Sequence, residues 1–371
     1  MSNDSKNSVL LNLDKTITFS GLKKDFSELE FDLDILDALK IAKKNGYKIK
    51  IQISEKSKTL NRNFEKINFE TLPDLESWLR KRNIPFDEIL IIKEFEGLKN
   101  ILVNERSLSP LEFKLRTFSY TIFQNISVVS SFYNESQNVN RFWEQLIELD
   151  KYLNIKQFIF VDNGSNDKTF DSLNLLKNLD NRVVVIQNQS PSSYSKGMSS
   201  SLMAIESEYT LLLHSDCQIN IDTTIKSWLE EIYQTRKGKE YDLNNGKKIM
   251  TTFRVNRDIR SNLTTTVNNF LAYYFLKWPI FIDFNSQPKI INTNLIKDIY
   301  IEKGYLFDLI MINLIVKKMR KDNDIKILKP FPVIVRERLK GSSTWKGNFF
   351  KSLKIIKSYL KYLISEFFIK K

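Results

Sequence analysis

Acidic side chains close several short apolar runs in the middle of this chain, a placement suited to phosphate and metal chemistry. The plainest case is Tyr209-Thr-Leu-Leu-Leu-His214-Ser215-Asp216. Three consecutive leucines entered by Tyr209 and Thr210 predict a strand buried on both faces, the kind found in parallel sheets. In open α/β sheets ligands bind beyond the carboxyl ends of the strands. An acid at that point can hold a hard cation together with a phosphate. A solvated Asp capping a strand accounts for these residues equally well, so the rest of the chain has to decide. His214 is the only histidine and the chain has one cysteine. Ser-His-Asp or Cys-His relays therefore have only His214 to use, and zinc clusters of Cys and His are excluded by count. Carboxylate, lysine, hydroxyl and oxygen-liganded metal chemistry remain.

The elements that must position these residues alternate between β and α. A strand from Ile126 ends in Tyr133-Asn134-Glu135, and a helix is predicted from Asn138 to Tyr152. The strand Gln157–Val161 runs into Asp162-Asn-Gly164-Ser165-Asn-Asp167-Lys-Thr169 and a further helix. A third strand, Arg182–Gln187, leads through a Ser-rich turn to a helix at Gly197–Glu206, and Tyr209–Leu213 comes fourth. Alternation of this kind predicts a parallel sheet.

In this order and spacing the three strand ends resemble glycosyltransferase family 2, which has the GT-A fold. One Asn-Gly-Ser turn is usually only a turn; three elements in register are far more specific. The resemblance implies a nucleotide-sugar donor, UDP-linked, bound by Tyr133, Glu135, Asp162, Gly164, Ser165, Asp167, Gly197 and Ser215, with Asp162 taking the base. It implies Mg²⁺ or Mn²⁺ at Asp216 and His214, where His214 replaces the first Asp of an Asp-x-Asp motif. A neutral imidazole there suits Mn²⁺ better than Mg²⁺. The segments Asp283-Phe-Asn-Ser-Gln-Pro-Lys289, Tyr305-Leu-Phe-Asp308-Leu and Arg338-Leu-Lys-Gly341-Ser-Ser343-Thr-Trp345 resemble the branch that includes polyprenyl-phosphate sugar transferases. Arg338, Ser343 and Trp345 then belong to a loop closing over the diphosphate, and Arg254, Arg257 and Arg260 add positive charge. Inversion at the anomeric carbon is implied as well. A hydroxyl acceptor needs a carboxylate base, for which Asp283 and Asp308 are the candidates; a lipid phosphate acceptor needs none.

The first third is a second α/β unit by its pattern: within Ser8–Phe19 an apolar strand followed by Asn12-Leu-Asp14-Lys-Thr16, a helix at Leu33–Lys44 stopped by Asn45-Gly46, and a strand at Tyr47–Ser54. A helix follows at Leu72–Asn83, with strands at Glu88–Ile92 and Asn100–Val103. It resembles the haloacid dehalogenase superfamily, in its capsule-biosynthesis phosphatase form. The matching positions are Asn12, Asp14, Thr16, Ser54, Lys93, Asn104 and Glu105. Asn12 stands where the resemblance places the nucleophilic Asp, and an amide cannot form an aspartyl-phosphate. Asn104 removes a second acid that magnesium would need. The domain is therefore expected to keep the fold without the phosphatase chemistry.

Among the 371 residues, 42% are hydrophobic and 12% aromatic, values of a globular chain. No apolar run reaches the roughly 18 residues of a bilayer span, and the N-terminus has no secretory pattern. A single cysteine fits a reducing compartment. The expected location is the cytoplasm, with attachment to the inner face of the membrane as a further option. A net charge of +13 calls for an anionic partner, although no nucleic-acid motif accompanies it. Residues 346–371 carry seven Lys against one Glu. There Phe349, Leu353, Ile356, Leu360, Leu363 and Phe367 recur at helical spacing, flanked by Lys351, Lys354, Lys357 and Lys361. Such a stripe suits an anionic membrane surface and equally a helix docked on its own core.

The expected architecture is two parallel-sheet α/β domains: a haloacid-dehalogenase-like domain at 1–115, a linker at 116–124, a GT-A domain at 125–345, and a basic amphipathic helix at 346–371. The expected function is sugar transfer to a saccharide or polyprenyl phosphate in surface polysaccharide, capsule or glycolipid assembly. The rival expectation is a catalytically inactive two-domain scaffold that only binds phosphorylated or nucleotide-sugar ligands.

Overall fold

Apolar runs alternating with amphipathic stretches build two α/β units, 1–121 and 122–371. The structure is a computed structural model and describes residues 7–13, 32–54, 72–92, 101–103, 106–189, 193–236, 246–256, 259–302, 304–338 and 349–369.

The first unit contains β1 (Ser8–Asn12), α1 (Leu33–Lys44), β2 (Lys48–Ser54), α2 (Leu72–Lys81), β3 (Glu88–Ile92), β4 (Ile101–Val103), β5 (Arg106–Leu108) and α3 (Pro110–Ile122). Helix α1 starts where the Asp32 carboxylate accepts from the Asp34 and Ile35 amides, each at 3.1 Å. Its apolar face, Ile35, Leu36, Leu39 and Ala42, is buried, and Asn45 with left-handed Gly46 ends it. The strand order is β3-β2-β1-β4-β5. β1, β2 and β3 run parallel, but β4 is antiparallel to β1 and β5 to β4. The wholly parallel sheet expected from the sequence is thus corrected. Only two residues separate β4 from β5, far fewer than a parallel crossover requires. The segment expected as a linker is helical as far as Ile122, because residues 116–122 continue α3. Leu115, Phe118 and Ile122 are buried, and that apolar spacing holds the segment helical.

The second unit contains β6 (Ile126–Phe132), α4 (Val139–Leu149), β7 (Ile155–Asp162), α5 (Thr169–Leu179), β8 (Val183–Gln187), α6 (Tyr194–Leu202), β9 (Tyr209–His214) and α7 (Ile221–Arg236). It continues with β10 (Lys247–Met250), β11 (Thr252–Val255), α8 (Ile259–Leu276), β12 (Lys289–Asn292), α9 (Phe307–Met319), β13 (Ile325–Ile327), β14 (Phe331–Ile334) and α10 (Phe349–Ile369). The main sheet runs β13-β10-β12-β9-β6-β7-β8, and β11 pairs with β14 apart from it. β6 to β9 are parallel, as expected, whereas β12 lies antiparallel to both β9 and β10. Here too the sheet is mixed. Phe132, Phe142 and Phe160 pack edge to face beneath the parallel strands, with buried Phe158 tilted against Phe160.

Helix α10 forms within the expected span, at Phe349–Ile369, and its two expected placements divide the stripe between them. Leu363 is 3% exposed and Tyr359 is buried. Phe367 lies 5.5 Å from the Phe275 ring, and α10 runs along α8. Glu366 pairs with Lys317 and accepts from Asn313. Within the proposed stripe, Leu363 and Phe367 therefore face the protein and Leu360 faces solvent. Helical spacing groups residues without deciding which group docks.

Candidate functional site

Strand register brings the expected residues to one edge. Ser131 of β6 pairs with His214 of β9, Phe132 with Asp162 of β7, and Asp162 with Gln187 of β8. Glu135, Asp162 and Asp216 thus follow or end three adjacent parallel strands, as open α/β sheets place their ligand sites.

Asp162 is fully buried, and its two oxygens face the Ser165 amide at 3.3 and 3.4 Å. Gly164 supplies the left-handed turn, with φ of 77°. Ser165 Oγ accepts from the Asn134 amide at 3.0 Å. Asp167 serves that loop rather than open space, since its carboxylate takes the Ser136 amide and both the amide and hydroxyl of Thr169. Burial would raise Asp167, yet these hydrogen bonds win and hold its carboxyl below the ordinary value. Ser215 donates to the Ser131 carbonyl at 2.9 Å, and Tyr133 is exposed at the mouth. Gly197 allows a close approach. A Cβ there would sit 2.5 Å from both side-chain polar atoms of Asn163 and 2.6 Å from Ser131 Oγ.

Arg338 joins two of the acids. Its guanidinium reaches Glu135 at 3.1 Å and Asp216 at 3.2 Å. The preceding segment is anchored to the end of β9, because Arg336 donates its amide to Gln218 O at 2.8 Å. The Gln218 side chain returns a bond to Arg336 O at 3.1 Å. Burial pushes the Glu135 carboxyl above its ordinary value, against the pull of Asn138 and Arg338.

This constellation bears on the expected metal. Glu135 and Asp216 converge on a single cation, now the guanidinium, so the oxygen donors fit a hard divalent ion. Asp216 also accepts the Gln218 amide at 3.3 Å. His214 contributes less. Burial lowers its imidazole, with Lys289 and Arg254 acting the same way against Asp216 and Asp308, so it is neutral at pH 7. Its Nε2 lies 3.5 Å from Asn285 O. Among the described residues, no group of three His, Cys, Asp or Glu gathers as a metal cage.

Both candidate bases are occupied. Arg254 grips Asp283 through Nε at 2.8 Å and Nη2 at 2.7 Å. Asp308 accepts Lys289 Nζ and Tyr194 OH, each at 2.9 Å, in a buried pair. Gln287 in turn donates to Tyr194 OH at 3.1 Å. Tyr194 and Lys289, which the sequence motifs do not mark as site residues, join the site through this pair. A lysine heading the apolar strand Lys289-Ile-Ile-Asn292 was the available signal, since a buried lysine requires a partner. Arg257, Ser343 and Trp345 lie outside the described residues.

In the first unit, Asn12 and Ser54 end the parallel strands β1 and β2 and so share one sheet edge. Asn12 is buried. Asp14, Thr16, Lys93, Asn104 and Glu105 lie outside the described residues.

The sequence model of the family described as Glycosyl transferase family 2 matches residues 127–286, from β6 to the loop before β12. No curated protein matches the chain. Similar solved structures include a target protein from Vibrio cholerae, 31% identical over 29% of this chain and 86% of that one, with a TM-score of 0.25. Residues 1–349 of S. aureus TarS, crystallised with UDP-GlcNAc, are 19% identical over 65% of this chain and 66% of that fragment, with a TM-score of 0.43. Glucosyl-3-phosphoglycerate synthase from Mycobacterium tuberculosis, with Mn²⁺, UDP and phosphoglyceric acid, is 15% identical over 69% and 82%, with a TM-score of 0.48.

Proposed function

We propose that residues 122–371 form an inverting glycosyltransferase that takes its sugar from a nucleotide donor, UDP-linked. The family match over residues 127–286 supports this reading. The observation that carries it is the convergence of Glu135 and Asp216 on Arg338 beside the buried Asp162. Asp162 would accept a hydrogen bond from the base. Arg338 would exchange its two carboxylates for the diphosphate, holding it by charge-assisted bonds. Bound Mg²⁺ or Mn²⁺, held by Asp216 with Glu135 near, would neutralise charge growing on the leaving diphosphate. Neutral His214 would pack beside the site without adding charge. The engaged state of Asp283 and Asp308 favours an acceptor that is already anionic, such as a polyprenyl phosphate, over a saccharide hydroxyl that needs a base. Surface polysaccharide, capsule or glycolipid assembly in the cytoplasm is the setting this chemistry suits. The first unit is read as a degenerate haloacid-dehalogenase-like domain, with Asn12 in the nucleophile position.

The test is turnover. Incubated with UDP-sugars, Mn²⁺ and a polyprenyl phosphate, the protein should release UDP. Asp216→Ala should lower that rate at least a hundredfold, about 2.7 kcal/mol of transition-state stabilisation, with unchanged thermal melting. Undiminished turnover in the variant would remove Asp216 from the mechanism. No turnover with any donor, alongside tight UDP-sugar binding, would favour the inactive scaffold.

A further inference from the structure

The outward faces of α8 and α10 are apolar, and they join. On α8, Leu263, Phe270 and Tyr274 point to solvent, with Leu263 and Tyr274 each 65% exposed. On α10, Leu360, Ile364 and Phe368 do the same, Phe368 at 65%. A chain of rings links them: Phe270 stacks with Tyr274 at 6.4 Å, Tyr274 meets Phe275 at 5.6 Å, Phe275 meets Phe367 at 5.5 Å, and Phe367 meets Phe368 at 5.8 Å. Two helices therefore present one apolar patch, a larger area than a single stripe offers.

The exposed charges described on α10 and just after α8 are positive. Helix α8 contains no Asp or Glu. The single acid of α10, Glu366, is turned inward onto Lys317 and Asn313. Lys357 and Lys361 are exposed on α10, and exposed Lys277 follows α8. A second copy of this chain would bring its own lysines against these, which disfavours self-pairing. Apolar side chains, aromatic rings and exposed lysines together match the boundary of an anionic bilayer. No helix among the described residues is long and apolar enough to cross a membrane, so contact would be from one side.

We infer that α8 and α10 together form a docking surface for an anionic lipid bilayer. The inner side of α10 ties that surface to the candidate site. Tyr359 accepts from Asn285 at 3.4 Å, and Asn285 O faces His214. Docking would hold the site close to lipid headgroups. The inference rests on surface chemistry and stands apart from the transfer reading, because binding is read without any donor.

The experiment is co-flotation of the full chain with vesicles of phosphatidylglycerol or of phosphatidylcholine. Binding should require phosphatidylglycerol and should weaken yet persist at high salt, since only its electrostatic part is screened. Ile364→Glu with Phe368→Glu, and separately Phe270→Glu with Tyr274→Glu, should each weaken it at least tenfold. All four sites are exposed, and circular dichroism checks the folding of each variant. If either pair misfolds, Lys357→Glu with Lys361→Glu should still weaken binding roughly tenfold or more. No binding to phosphatidylglycerol overturns the inference, and so does normal binding by the α8 pair, which would leave α10 acting alone. A dimer in sedimentation that these same substitutions dissociate would reassign the patch to a second copy.

Discussion

The buried ion pairs around the site matter at the residue scale because each turns a candidate acid into a support. Asp283 is the clearest. Burial alone would raise its carboxyl, but hydrogen bonds and charge from Arg254 outweigh burial and hold it below the ordinary 3.8. A carboxyl depressed in the fold stabilises it above the unfolded value, and that contribution is lost as pH falls through the native value. Asp283→Asn should therefore cost about 3–5 kcal/mol at neutral pH, because it leaves Arg254 without its partner. It should also flatten the loss of stability below about pH 3.8. Denaturant unfolding across the acid range reads both. An acid limb identical to that of the unsubstituted protein would show that Asp283 does not control it.

At the scale of elements, the site depends on how closely α6 approaches the end of β7. Gly197 makes that approach possible, and Asn163 is held where a side chain would be. Its amide donates to Ser131 at 2.8 Å and its carbonyl accepts from Asn188 at 2.9 Å. A methyl group at Gly197 has to displace that network or push α6 away from the sheet. Gly197→Ala should cost about 1–3 kcal/mol, as overpacking does, and should reduce UDP affinity by displacing the Asp162 loop. Calorimetric titration with UDP alongside thermal melting checks both. Unchanged affinity in a destabilised variant would separate the helix from the donor loop. The same scale governs α10, whose inner face carries Tyr359 and Leu363 and whose outer face is left apolar.

At the scale of the whole molecule, two units carry separate cores and separate chemical prospects. The first is built on Val9, Leu11, Ile49 and Ile51 of its strands, and on the proposed haloacid-dehalogenase-like reading Asn12, at the end of β1, takes the nucleophile's position. An amide offers no carboxylate to attack phosphorus. The protein should therefore release no phosphate from a phosphate monoester with Mg²⁺ present, at concentrations where UDP release from a nucleotide sugar is measurable. Monoester hydrolysis that vanishes in Asn12→Ala would give this unit a catalytic role.

Much of the site was legible from local pattern. Apolar runs ending in Glu135, Asp162 and Asp216 predicted strand ends, and parallel pairing then aligns those ends, because neighbouring strands share one direction. Gly164 and Gly197 entered through the family resemblance, and the structure supplies the left-handed turn and the close contact that they occupy. The mixed sheets were not, since antiparallel β12 depends on where a distant strand finds an unpaired edge. Nor was the meeting of Arg338 with Asp216 as an ion pair, across 122 residues, or the capture of Asp308 by Lys289 and Tyr194. Periodicity tells which side chains share a face. Only the packed chain decides which face is covered and which charges meet, because both depend on contacts between residues far apart in sequence.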